Sequence, residues 1–267
     1  MGPSGLRTAL ERLYEAFNRP DFINPDPVEF LHRYGDVRDR EVVGLVASSL
    51  AYGRVAQIMK SVSSVLEPMG RRPARFLIDA DDNLLRSTFG GFRHRFTTDS
   101  ELVLTLAGAR DLIRRHGSLE TVFVAGMERG DRTTMGAQCR FAEGVNGAFG
   151  GACNSLVPHH EKGSSMKRLN LFLRWMVRRD DVDPGGWDSV PRAALVVPLD
   201  THLFRIARTL GFTDRKSANL AAALEITGRF REIAPEDPVK YDFALTRLGI
   251  RADLREESVS LFGSLVR

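Results

Sequence analysis

Apolar residues in this chain return every three or four positions, and that period specifies helices. Leu6, Leu10, Leu13 and Phe17 fall on one helical face, and Val42, Leu45, Val46 and Ser49 begin another behind the acidic start at 36–41. The same spacing predicts helices over 55–66, 100–116, 118–128, 135–145, 167–179, 201–210, 215–231 and 238–248. Strand signals are few: no repeated Val/Ile/Thr alternation is bounded by hairpin turns, and no Gly-rich phosphate loop occurs. Short to medium helices joined by Gly, Pro and Asp turns make the expected fold class all-α. Irregular segments are expected at 147–165 and 180–199. The second, with Asp183-Pro184-Gly185-Gly186, is long enough to suspect a function.

A chain of 267 residues has room for one large domain or two small ones. No stretch approaches the roughly 20 apolar residues of a membrane span, and residues 1–17 lack the apolar centre of a signal peptide. The expected location is therefore cytoplasmic. Cys139 and Cys153 are the whole cysteine supply, too few for a disulfide framework or for a four-cysteine zinc or iron–sulfur site. His159-His160 beside Glu161 is poorly spaced for one metal on a helix, and no H-x-x-x-H pattern exists, so no metal is expected. The net charge of +4 is mild, and its distribution matters more than its size.

That charge is concentrated. Between Glu161 and Asp180 stand Lys162, Lys167, Arg168, Arg174, Arg178 and Arg179, so these 20 residues carry as large a surplus as the whole chain. On a helical wheel Leu169, Phe172, Leu173 and Met176 form a core-facing stripe, with Lys167, Arg174 and Arg178 opposite. Such a face is either a solvated basic surface or a set of cations for a phosphate backbone. Lys162-Gly163-Ser164-Ser165 just before it is a small, flexible approach whose amides are suited to cradle a phosphate. Positive neighbours and a helix N-terminus disfavour an ammonium at Lys167, and a neutral amine is what a Schiff-base lysine requires.

Farther along, Pro198-Leu199-Asp200-Thr201-His202 leads into Leu203, Ile206, Ala207 and Leu210, an amphipathic helix closed by Gly211. Asp200 is placed as its N-cap. A capping carboxylate gives one oxygen to backbone amides and keeps the other to stabilise a cation, so a structural and a chemical role are compatible.

These residues resemble a family. Val197-Pro198-Leu199-Asp200-Thr201-His202-Leu203-Phe204-Arg205, followed by Leu210-Gly211, is similar to the "V-D-T-H-V-x-R … R-L-G" stretch of the helix-hairpin-helix DNA glycosylases. Ser48-Ser49-Leu50-Ala51-Tyr52-Gly53-Arg54-Val55 sits where that family has the turn probing the duplex beside the lesion. Gly91-Phe92-Arg93-His94-Arg95-Phe96 resembles its "G-Y-R-A-R" segment, and Asp242-Phe243-Ala244-Leu245 through Leu248-Gly249 its C-terminal helix. The usual hairpin "L-P-G-V-G-x-K-T-A" is absent, its nearest counterpart being the stretch 157–167, and Lys167 lies 33 residues before Asp200. The longer gap is more similar to the archaeal 8-oxoguanine glycosylase branch and to uncharacterised bacterial relatives bearing "K-R-L-N-x-F-L-R-W-M-V-R".

The resemblance implies a two-lobed fold, with a helical barrel over 24–165, a second helical domain of 1–23 with 166–267, and the active cleft between them. It implies a bifunctional DNA glycosylase/AP lyase that removes an oxidised purine, 8-oxoguanine above all. Lys167 would be the Schiff-base nucleophile, and Asp200 would stabilise the sugar cation and take the amine's proton. The base would be flipped into a pocket built with Trp187, Asp242 and Phe243; Tyr52 and Trp175 are further aromatic candidates. DNA contacts would come from Tyr52, Gly53, Arg54, Lys162, Gly163, Ser164, Ser165, Arg174, Arg178 and His202. The partner would be damaged double-stranded DNA at the nucleoid, with no cofactor and no obligate protein partner. Three other readings fit the same residues: a glycosylase/lyase for another lesion such as an oxidised pyrimidine, a DNA-binding module of this fold without catalysis, and a helical protein with no DNA role.

Overall fold

A computed structural model describes residues 3–150, 154–158 and 163–250. Cys153, His159, His160, Glu161 and Lys162 lie outside the described residues. The described chain is predominantly helical, as the periodicity requires. Its order is α1 (Pro3–Phe17), α2 (Val37–Ser49), α3 (Val55–Met69), α4 (Pro73–Asp79), α5 (Asp82–Phe89), a two-stranded hairpin of β1 (Arg93–His94) and β2 (Thr97–Thr98), α6 (Asp99–His116), α7 (Leu119–Ala125), α8 (Met135–Asn146), α9 (Lys167–Val177), α10 (Thr201–Thr209), α11 (Leu220–Ile233) and α12 (Asp242–Ile250). None of these helices is long and apolar enough to cross a membrane.

Local chemistry sets the boundaries. Asp36 caps α2 by accepting from the Arg38 amide at 2.7 Å. Thr98 and Glu101 form a reciprocal capping box at the start of α6, and Gly117 ends that helix in the left-handed region. Asn219 caps α11, which starts five residues later than the apolar pattern alone places it. Helix α9 stops at Val177 rather than at 179, because Arg178 takes extended backbone while its side chain is held by carboxylates. The antiparallel hairpin, Arg93 opposite Thr98 and His94 opposite Thr97, was not expected; strands of two residues carry no detectable alternation.

The buried apolar side chains form one cluster that runs from Leu10 to Leu245. At its centre α2 packs on α9. A Cβ on Gly44 would lie 3.1 Å from the Phe172 ring, so a side chain here would require that ring to give by a few tenths of an ångström. Helix α2 is buried nearly all round, including Glu41 (1% exposed), whose carboxylate accepts from the Leu119 and Glu120 amides at the start of α7.

The long segment 178–200 is not an open loop. It folds back along α9, with Gly185 and Trp187 amides donating to the Trp175 and Met176 carbonyls, and Arg40 and His32 hold it from the other side. Val182, Asp183, Trp187, Val190 and 194–199 are buried. Trp187 is therefore a core residue: its indole donates to Glu41 at 2.9 Å and packs on Phe123 and Phe172. The expectation that it stacks on a base is corrected. A tryptophan in a Pro/Gly-rich stretch reads as exposed only if the stretch is exposed. Trp175 is likewise fully buried.

Candidate active site

Helix α9 begins without a side-chain cap. Met166, buried and in the left-handed region at φ 54°, turns the chain sharply into Lys167, the first helical residue. Ser165 anchors this turn by donating its hydroxyl to the Leu199 carbonyl at 3.3 Å, which draws the start of α9 beside the start of α10. That contact spans 34 residues and closes the gap between Lys167 and Asp200. Ser164 accepts from the Met166 amide, and the Gly163 carbonyl accepts from Leu220.

Lys167, Asp200 and Asp242 all line one cavity of about 290 Å³, together with Tyr52, Gly53, His202 and Arg247. The Lys167 ammonium makes a long contact, 3.4 Å, to the Ala51 carbonyl at the end of α2. Asp200 is the N-cap foreseen for α10: one oxygen accepts from the Leu203 amide at 2.8 Å, and the other has no hydrogen bond among the described residues. Asp242 opens α12 and is 4% exposed. One of its oxygens takes Arg174, while the other is buried without a partner. Burial pushes the Asp242 carboxyl up to about 6; Arg174 opposes this, and the nearby carboxylates of Asp200 and Asp183 add to it. The pocket thus offers an amine, a carboxylate tied to a helix N-terminus, and a second carboxyl that keeps a proton well above the usual carboxylate range.

Two expected DNA contacts are corrected here. Arg174 and Arg178 were placed on an exposed stripe, yet they are 3% and 2% exposed. Arg174 is bound by Asp183 and Asp242, and Arg178 by Asp180, Asp183 and Asp237. The helical wheel separates polar from apolar faces, but it does not say whether solvent or carboxylates meet the polar one. Both guanidinium groups stay charged inside this network. Phe243, expected in the base pocket, is 1% exposed and lies beneath the guanidinium groups of Arg247 and Arg174, outside the cavity lining.

Other walls carried no signal in the sequence. Pro25, Asp26 and Pro27 line the cavity, and Asp26 holds Arg247 at 2.6 Å across 221 residues. Only the fold pairs them. Tyr52 is the best-supported aromatic at the rim. Its hydroxyl bonds the His94 carbonyl and Thr97, its edge meets His94, and Arg168 lies 5.2 Å from its ring centre. Among the described residues no three His, Cys, Asp or Glu side chains are grouped to hold a metal.

Fold and site together define a predominantly helical protein with an amine and two carboxyl groups in a small pocket. Residues 26–251 match the family described as protein of unknown function (DUF2400), and the chain belongs to that family. No curated protein and no solved structure matches it. The resemblance to helix-hairpin-helix DNA glycosylases is thereby corrected: the matching family is a different one, and no glycosylase family of that kind matches. The stretch at Asp200 is explained by local chemistry, since Pro and Asp ahead of an amphipathic helix are a helix start that any fold can use.

Proposed function

We propose that the Lys167 pocket is the active site of a bifunctional DNA glycosylase/AP lyase acting on an oxidised base, with 8-oxoguanine the first substrate to test. One observation carries this reading: the Lys167 amine and the carboxyl groups of Asp200 and Asp242 share one cavity. A cavity of ~150 Å³ accommodates benzene. The volume here is about twice that, room for one flipped bicyclic base but not for a base pair.

The amine of Lys167 attacks the sugar C1′, the N-glycosidic bond breaks, and the base leaves with the bonding pair and a proton. Asp200 stabilises the positive charge that develops on the sugar and takes the proton released from the amine. Ring opening gives an imine. Loss of the C2′ proton then expels the 3′ phosphate, and water returns the free lysine. Asp242, protonated in part near neutral pH, has an unpartnered oxygen with which to bond the base.

Lining residues come both from 24–165 and from 166–267, which supports a cleft between two lobes within the predominantly helical fold. The partner is damaged duplex DNA, contacted at the rim by Tyr52, Gly53, Arg54, Gly163, Ser164, Ser165 and His202. The protein would work at the nucleoid in the cytoplasm, without a cofactor or an obligate protein partner.

Borohydride trapping tests the reading. Wild-type protein incubated with duplexes carrying 8-oxoguanine, an oxidised pyrimidine or a preformed abasic site is expected to give a covalent adduct that Lys167→Gln abolishes. An adduct persisting in Lys167→Gln moves the nucleophile elsewhere. Duplex binding without an adduct from any of the three lesions makes the protein a DNA-binding module instead.

A further inference from the structure

Phe96 is the most exposed large apolar side chain among the described residues, at 63%. A single exposed apolar side chain is ordinary on a protein surface, so it is the setting of this ring that matters. The ring is not a loose tip. Phe96 occupies the two-residue turn between β1 and β2, and its ring stacks on Tyr52 with centres 5.0 Å apart and planes 26° from parallel. Tyr52 is fixed from behind by two hydroxyl bonds and lines the Lys167 cavity. The exposed ring therefore stands on a rigid aromatic base at the pocket mouth.

The surrounding backbone is built to hold it there. Arg95, next in the turn, adopts φ 55°, a left-handed conformation uncommon for a residue with a side chain. Its side chain lies against Gly53, where an added Cβ would come within 2.8 Å of Arg95 Cδ at a backbone φ of 97°. Gly53, in the turn between α2 and α3, takes a φ that favours glycine, and the Arg95 side chain packs against it. Arg54, Arg93 and Arg95 are exposed around Phe96. Asp99, which accepts from the Gly91 and Ser100 amides, is a carboxylate in the field of Arg93. An apolar ring in a cationic collar suits a stacked, polyanionic partner. In the arginine-rich groove at 33–39 and 70–78, by contrast, three of the five lining arginines, Arg33, Arg38 and Arg75, are paired with a carboxylate.

We propose that Phe96 is a wedge that enters the base stack of a nucleic-acid duplex at the step beside the nucleotide drawn into the Lys167 pocket, with Arg54, Arg93 and Arg95 on the flanking phosphates. From the pocket reading this takes that the partner is a duplex with one nucleotide drawn into the cavity, but none of the chemistry at Lys167. The ring fills the gap left by the extruded base, and the Tyr52 stack beneath it resists its being pushed back.

The test uses the full chain and a duplex in which a tetrahydrofuran abasic analogue is flanked by 2-aminopurine, whose fluorescence rises when it is unstacked. Wild-type protein is expected to bind and to raise the fluorescence. Phe96→Ala loses the rise and binds this duplex roughly five- to 150-fold more weakly, the range that stacking of one base on an aromatic ring is worth. Phe96→Trp retains both, and exposure of the ring leaves the melting temperature of each variant unchanged. Wild-type protein that binds without a rise, or that fails to bind, overturns the wedge, as does Phe96→Ala matching wild type. Lys167→Gln separates the two readings: a Phe96-dependent rise that persists in it, with no adduct trapped in wild type, sinks the lyase and keeps the wedge. Normal trapping by Phe96→Ala together with an unchanged rise sinks the wedge alone.

Discussion

Replacing Arg174 with alanine distinguishes the two ways its helix can be read. The side chain is 3% exposed and lies between Asp183, fully buried, and Asp242, 4% exposed. Breaking a buried ion pair from one side destabilises by about 3–5 kcal/mol, because the remaining charge is left without a counter-ion. Two features set the value near the lower end. Asp183 keeps Arg178, and Asp242, already shifted to about 6, takes a proton once Arg174 is gone. For a chain of this size 1 kcal/mol moves the midpoint by about 2–4 °C, so the loss amounts to roughly 6–12 °C. Differential scanning calorimetry at pH 7 measures it. The double replacement Arg174→Met with Asp242→Leu removes both charges at similar volume and is expected to recover most of the loss. If Arg174→Ala melts within 1–2 °C of wild type (a shift of about half a kcal/mol or less) and instead binds every duplex more weakly with a flatter salt dependence, the guanidinium faces solvent and the buried network is wrong.

Asp200→Asn separates capping from chemistry. Asparagine caps as well as aspartate, so melting shifts by no more than a few tenths of a kcal/mol, while base release falls by orders of magnitude in a single-turnover assay; normal turnover removes Asp200 from the mechanism. Asp242→Asn tests the raised carboxyl. Asp242 holds its proton more tightly folded than unfolded, so its contribution is full below about pH 4 and is lost as pH rises through 6. Melting followed from pH 4 to 7 should therefore show the Asn variant gaining on wild type with rising pH, and parallel curves would refute the shift.

The helices were legible because an apolar stripe with a capping residue is local information. Asp36, Ser118 and Asp200 each announce a helix start within a few residues of sequence, and each caps one. Burial of polar groups is not local. Arg174 and Trp187 were misread for one reason: their partners, Asp242 and Glu41, lie 68 and 146 residues away. The placing of Lys167 and Asp200 in one cavity was foreseen, whereas the wall made by Asp26 and Arg247 was not, since nothing near either residue marks the other. Phe96 closes the Gly91–Phe96 stretch with no local mark of its exposure. Its exposure follows from a turn between strands too short to leave a pattern.

The pocket is also a record of the order in which the chain is made. Chains emerge from the ribosome N-terminus first, and contacts between distant residues form only when both are present. Tyr52 and the hairpin that carries Phe96 are synthesised in the first 100 residues, Lys167 and Asp200 well after them, and Asp242 and Arg247 later still. Glu11 waits equally long for Lys240 and Tyr241, to which α1 is tied. A nascent chain therefore carries the rim of the cavity through the 71 residues from Phe96 to Lys167 before it has the amine. Lys167 acquires its second carboxyl only when α12 docks. A ribosome stalled before residue 242 would hold a chain in which Tyr52, Lys167 and Asp200 are made and the Asp242 and Arg247 wall of the cavity is missing.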